Sequence, residues 1–598
     1  MLNWLRRVLP LGGNDDKATP AEFDAAARNR EAALGRQSDD ARGLLSAGSQ
    51  KLGQGNANGA VELLERAVDL DPYSATALYQ LGRALHAAGR PGEALSCYEQ
   101  ALAIAPADGM HRDFAILLRQ LGALPQAIEQ FRLALTAMQG DIDVHSRLGE
   151  ALLASGEFAG AIACCHTVLD AEPQHLDALV NLGSALQGER RFPEAADAYR
   201  RALALAPDLA AIHFNLGTLA QSEGYFSRGE ARRAHFAAAR EAYQAALALE
   251  PQYLDALFCL SALAMAELQL DAALAWIDRA LALAPENADA RTRRGQLALL
   301  MGDFSAGWRD CEYRFGQTGS KRLPPFSQPL WRNDAPLAGK TILLMAEQGM
   351  GDAIHFVRYV EQVAQLAPAA ILIEAHEPLR PLLQTLPVRV TMLEPGKPYP
   401  PFDCFCPLMS LPYAFGTLAD SSPARVPYLS AEPARSAAWA ERLRGEASPR
   451  IGIAWSGSTA LNNDFNRSIA LTDFVASLPP GKPVFSLQKD VREADAQTLA
   501  GLPQITRFGE QLQDYADTAA LIANLDLVIS VDTSVAHLAG ALGKPVWILL
   551  PFLPDYRWQS ARSDSPWYPT ARLFRQAEPG DWAPVFAQVR LALDNPAS

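Results

Sequence analysis

The chain has 598 residues, 49% of them hydrophobic and 20% charged, with a formal net charge of −14. That length implies several domains, the composition is that of ordinary globular protein, and the acidic balance excludes a nucleic-acid backbone as the main partner. The seven cysteines show neither zinc spacing nor a disulfide framework, which points to a reducing compartment. The apolar stretch of residues 1–11 is too short for a signal peptide, and no run reaches the roughly 18 apolar residues of a spanning helix. The expectation is a cytoplasmic protein without an integral membrane segment.

Residues 12–40 are polar and alanine-rich, and residues 1–40 read as a flexible leader. A repeat occupies residues 41–317. Prolines recur at Pro72, Pro106, Pro173, Pro207, Pro251 and Pro285, mostly 34 residues or a near multiple apart. Leu78, Gly82, Leu85, Ala94, Tyr98 and Ala101 have counterparts at the same offsets in Leu179, Gly183, Leu186, Ala195, Tyr199 and Ala202. The small residues let two helices approach closely, and the tyrosine fills the space between successive pairs. Period and residue types resemble the tetratricopeptide repeat, an all-α superhelix with an extended concave face. Eight units are counted, and an insertion of about ten residues around 226–236 is expected to lengthen a first helix or its turn. The sixth position of each unit is expected to face the groove; two of these positions are Asn181 and Asn215, whose amides can donate and accept at once.

A proline-rich joint, residues 318–340, separates the repeats from a strand–helix alternation. The first half, residues 341–445, reads as strand 341–345, a glycine turn at 347–352 and a helix. Strand 370–374, helix 378–386 and strands 389–393 and 402–407 follow. The second half, residues 446–598, reads as strand 450–455, a loop to Ser468, a helix near 473–477, strands 484–487 and 505–508, and helix 515–523. It then reaches residues 526–550, where strand 527–531, the triplet Asp532-Thr533-Ser534, helix 535–542 and strand 545–550 make one βαβ unit. Two doubly wound parallel α/β lobes are expected.

Ligands of such sheets lie beyond the carboxyl ends of the strands, where helix N-termini attract phosphate. Thr533 and Ser534 are therefore candidates for holding a phosphate; the alternative is that Asp532–Ser534 only caps its own helix. In the first half Gly349 and Gly351 permit a tight turn that brings Asp352 to the cleft, where the competing role is an N-cap. Gln348 and His355 share that loop region, and Glu347 and His355 are the spare acid–base candidates. Lys489, after Gln488, either neutralises donor phosphate or is a surface lysine. Ser456 closes a strand with small residues, followed by Asn463-Asp464 and Arg467. Tyr556-Arg557-Trp558, Arg562 and Trp567-Tyr568 line the cleft or pack the lobe edge.

Gly351-Asp352 in the first half, with Asp532-Thr533-Ser534 and His537 in the second, resemble the GT-B glycosyltransferases, nearest the bacterial lipopolysaccharide heptosyltransferases. The resemblance implies a nucleotide-sugar donor on residues 446–598, an acceptor side on 341–445, Asp352 as general base, and neither metal nor cofactor. Donor contacts are then expected from Ser456, Gln488, Lys489, Asp532, Thr533, Ser534 and His537. Arg467 stands only approximately where the heptosyltransferases have a lysine, which argues against a heptose donor. The NLG segments at Asn181 and Asn215 resemble the O-linked N-acetylglucosamine transferase, in which asparagines clamp an extended polypeptide. The combination looks like bacterial proteins that include flagellin glycosyltransferases, implying a protein acceptor such as flagellin. The alternative is a non-catalytic repeat scaffold with a sugar-nucleotide-binding domain.

Overall fold

The computed structural model describes residues 39–595 except 138–139, 321, 395, 419–420, 422, 424, 460–463 and 479–481. The first 38 residues of the expected leader, and Asn463, lie outside the described residues. The chain divides into two compact units, Met1–Leu219 and Ala220–Ser598.

The described part of the first unit is all helix, in antiparallel pairs such as Ala75–Ala87 with Pro91–Ile104 and Leu176–Gly188 with Phe192–Leu205. Two of the first helices start on side-chain caps of this kind: Ser74 Oγ accepts from Ala77 N–H at 3.2 Å, and Asp141 Oδ1 from Val144 N–H at 3.0 Å. Each cap satisfies one of the free N–H groups of a helix start. Where the repeat places glycine, the partner tyrosine occupies the space: a Cβ on Gly183 would lie 2.5 Å from Tyr199 Cε1. The insertion lengthens both helices of its hairpin, Ala210–Phe226 and Gly229–Leu249, rather than one helix or the turn.

The second unit holds the remaining helix pairs, ending in Ala288–Met301 and Phe304–Cys311, and then two parallel sheets. The first sheet comprises β1 (Thr341–Met345), β2 (Ala370–Glu374), β3 (Thr391–Met392) and β4 (Cys404–Pro407), in the order β3-β2-β1-β4. The second comprises β5 (Ile451–Ala454), β6 (Val484–Ser486), β7 (Ile505–Arg507), β8 (Leu527–Val531), β9 (Val546–Leu550) and β10 (Ala571–Arg575), in the order β10-β9-β8-β5-β6-β7. Nearly continuous apolar runs such as LVISV and VWILL suit strands covered on both faces. The expected helix at 378–386 is only a 3-10 turn, Glu377–Leu379, and Arg380–Leu383, because Pro378 and Pro381 remove backbone donors. Strand 389–393 shrinks to Thr391–Met392.

The last repeat is not tethered loosely to the sheets. Leu299, Phe304, Trp308 and Cys311 belong to one buried cluster with Trp331 and Leu337 of the proline-rich joint, Ile342 and Phe356 of the first lobe, and Leu538 and Trp558 of the second. Leu330 adds a parallel bridge to Phe405 beside β4. Arg314, beyond the last repeat helix, reaches Glu347 Oε1 at 2.8 Å and Ser410 Oγ at 2.8 Å. Among the described residues no helix is long and apolar enough to cross a membrane.

Gly295 sets the closeness of that last helix pair. A Cβ there would lie 2.8 Å from both Cys311 N and Gly307 O, backbone atoms that cannot turn aside. Gly295→Ala should therefore destabilise the protein by about 1–3 kcal/mol through overpacking. Gly43→Ala, in the open on helix 39–53, should instead stabilise by about 0.5–1 kcal/mol. Urea unfolding of both variants checks the opposite signs.

Candidate functional site

In each sheet the chain runs outward from its first strand and then returns to that strand's other side. The switch points lie between β1 and β4 and between β5 and β8. Crevices at switch points, beyond the carboxyl ends of the strands, are where ligands of such sheets bind. The loops after β1, β5 and β8 carry the candidate residues.

After β1 the chain turns at Gly349 into the Met350–Phe356 helix, with Asp352 in its first turn. Asp352 Oδ2 accepts from Gly349 N–H at 3.0 Å, so the capping role is real. Its Oδ1 faces elsewhere and is ion-paired with Arg557 of the second lobe. Gln348 is exposed, and its carbonyl accepts from His376 Nε2–H at 2.6 Å. Glu347 is not a free base: burial pushes its carboxyl up, while its partner Arg314 pulls it down. His355 is 0% exposed and lies in the core between the lobes.

After β8, Thr533 is the N-cap of the Ser534–Ala541 helix, and its side chain makes no capping bond. Thr533 Oγ1 instead lies 3.1 Å from Ser530 Oγ, and Ser534 Oγ lies 2.7 Å from Tyr515 OH. The Thr533 side chain therefore does not cap its own helix. Gly351 permits the two site helices to meet: a Cβ there would lie 3.1 Å from His537 Cδ2 and 3.4 Å from Ser534 Cα.

Ser456 and Gly457 follow β5, across the switch point from Asp532. Ser456 N–H donates to Gln488 Oε1 at 3.4 Å. Arg467 donates to Asp464 Oδ1 at 3.1 Å and to the Asp532 carbonyl at 2.8 Å, tying the two loops together. Arg492 donates to the Gly457 carbonyl at 3.0 Å and pairs with Asp464, which is 5% exposed. A Cβ at Gly457 would lie 2.4 Å from an Arg467 nitrogen and 2.5 Å from Asp464 Oδ1, so a side chain there would have to displace that pair. Lys489 is exposed, with its ammonium donating to the Gln513 carbonyl at 2.9 Å. The sequence reading gave no role to Arg492 or Asp555. Asn181 and Asn215 are half-buried on first helices of successive pairs in the first unit.

Electrostatics at the lobe junction follow from burial. Tyr568 OH lies 3.0 Å from both His355 Nδ1 and His537 Nδ1. Burial, reinforced by arginines including Arg358 and Arg557, keeps both imidazoles well below their usual range and neutral. The Tyr568 hydroxyl, which also lies 3.5 Å from Tyr428 OH, can thus bridge the two rings. Burial and neighbouring Asp555 push the Asp532 carboxyl up to about 6, against Trp558, Arg467 and Arg557. Burial works against the Arg557 charge, but Asp555, Tyr556, Asp352 and Asp532 outweigh it and hold the guanidinium protonated. The segment Tyr556–Trp558 thus supplies a cation to the junction, with Trp558 stacked on His537 at 5.3 Å.

Comparison with known proteins divides along the same lines. Residues 51–113, 146–210 and 181–234 match tetratricopeptide repeat models, and residues 513–550 match glycosyltransferase family 9 (heptosyltransferase). Protein FlbA of Caulobacter vibrioides is 27% identical over 566 residues, covering 89% of this chain and 86% of FlbA. Tetratricopeptide repeat protein 7B of Homo sapiens is 35% identical over 130 residues, 21% of this chain and 15% of that protein. A solved tetratricopeptide repeat protein from Parabacteroides merdae covers 43% of this chain and 98% of its own, with TM-score 0.35 and 14% identity. The family 9 match contains Asp532, Thr533, Ser534 and His537.

The raised Asp532 carboxyl has a measurable consequence. The folded protein binds this proton more tightly than the unfolded chain does, so the residue opposes folding increasingly as pH rises through its titration range, then levels off. Asp532→Asn removes that dependence. Relative to the parent, the variant should gain up to about 3 kcal/mol of stability between about pH 4 and pH 7, the shift from 3.8 to about 6 converted at 1.36 kcal/mol per unit. Urea unfolding of both proteins at the two pH values checks it.

Proposed function

We propose that the protein is a metal-independent glycosyltransferase of GT-B type, moving a sugar from a nucleotide-activated donor to a protein acceptor. The observation that carries the reading is the meeting of the Met350–Phe356 and Ser534–Ala541 helices, each following a strand at a switch point, so closely that a Cβ at Gly351 would lie 3.4 Å from Ser534 Cα. The family 9 match falls on the second of those helices and its strand. The donor phosphate sits at the start of the Ser534–Ala541 helix, where the backbone N–H groups and helix dipole favour an anion. Asp352 faces it from the other lobe as general base. The acceptor hydroxyl oxygen bonds to the anomeric carbon while its proton passes to Asp352. The bond from that carbon to the phosphate oxygen breaks, its electron pair leaving with the nucleotide. Ser456, Gln488, Lys489 and Arg467, on the loops after β5 and β6, are the proposed further donor contacts.

The repeats supply the acceptor site, with Asn181 and Asn215 gripping an extended backbone and flagellin the leading acceptor by family likeness. The matches to tetratricopeptide repeat models at residues 51–113 and 146–234 support a protein partner. A cytoplasmic setting is supported by seven free thiols, Cys404 and Cys406 two residues apart on β4 among them.

Removing a positioned base typically costs about 10²–10⁴-fold in rate. Asp352→Asn should lose sugar transfer by that factor while binding donor normally in calorimetry. Near-parental transfer by Asp352→Asn would leave the carboxylate only its capping role.

A further inference from the structure

We propose that Arg557 is a positioning residue that latches the Asp352 carboxylate from the opposite lobe and so fixes its orientation. The proposal rests on Asp352 being the base.

The two oxygens of Asp352 are held in different ways. Oδ2 takes the Gly349 N–H from within its own turn, a bond that owes nothing to the other lobe. Oδ1 pairs with Arg557, 205 residues further along the chain and in the other lobe. The local bond alone leaves the carboxylate free to turn about its remaining torsion; the second bond fixes it. An arginine fork holds geometry where a single point charge would not.

Arg557 is itself fixed. It is 7% exposed, and a second nitrogen donates to Asp555 Oδ1 at 2.8 Å. Its guanidinium lies 4.4 Å from the Tyr556 ring centre and 5.3 Å from that of Phe356, which ends the Asp352 helix. Trp308 of the last repeat helix packs edgewise on the same two rings, at 6.0 Å from Phe356 and 5.9 Å from Tyr556. The latch is thus backed by a residue touching both lobes. Buried Arg557 Nε has no partner, leaving one donor in reserve beside three carboxylates. Neutral His355 and His537 cannot replace this cation.

Hydrogen exchange of the full-length protein, read by mass spectrometry, tests the latch without any substrate. In R557Q, amides of residues 349–356 should exchange roughly tenfold faster than in the parent, as local opening is freed. R557K should fall between the two, because lysine keeps the charge and loses the fork. If R557Q speeds exchange only around residues 553–560, the latch is refuted.

Turnover then tests whether Arg557 acts through Asp352, using whichever of UDP-, GDP-, ADP- or CMP-linked sugars the parent consumes. R557Q should lower kcat by roughly 10²-fold with donor KM nearly unchanged, the cost of a misplaced group. The double variant D352N/R557Q should be no slower than D352N alone. Losses that multiply would overturn the proposal. A fully active D352N would instead refute the base assignment, with the exchange result still deciding the latch.

Discussion

Everything at the junction of the lobes depends on how closely the Met350–Phe356 and Ser534–Ala541 helices can approach. That closeness is permitted by the missing side chain of Gly351, 3.4 Å from Ser534 Cα at its imagined Cβ. From it follow the reach of Arg557 to Asp352, the shared hydroxyl of Tyr568 between two histidines, and the stacking of Trp558 on His537. A larger residue at 351 would push against His537 and Ser534 and separate the Asp352 turn from the start of the Ser534–Ala541 helix.

The repeats and the lobes are joined by a core rather than by a leash. Phe304 stacks on Trp567 at 5.7 Å, Trp308 packs on Phe356 and Tyr556, and Arg314 holds Glu347 two residues before the glycine turn. An arginine that is 5% exposed needs its carboxylate, because an unpaired buried charge is costly. The last repeat is therefore a wall of the α/β lobes as well as the end of the array.

Much of this was legible in the sequence. The bounds of β1, β2, β8 and the Tyr515–Ala523 helix follow from short apolar runs ended by polar turn residues. The repeat was legible because helix pairing needs a small residue opposite a tyrosine at a fixed spacing. Less regular stretches were not. The strand Ala571–Arg575 carries exposed Arg572 within a short edge run, and the Glu493–Ala500 helix has a weak apolar face. The site was half legible. Local motifs placed Asp352 and Thr533 at helix starts, but the pairing of Asp352 with Arg557, and of Asp464 with both Arg467 and Arg492, joins side chains whose contact is fixed only by the folded topology.

The central claim is that this chain transfers sugar to a protein held by its repeats. Intact-mass spectrometry of flagellin co-expressed with the full-length protein tests it most directly. The account predicts a mass gain of whole sugar units with the parent protein, and a clearly smaller gain when Asn181 and Asn215 are both alanine. An acceptor of unchanged mass beside the parent protein would contradict it.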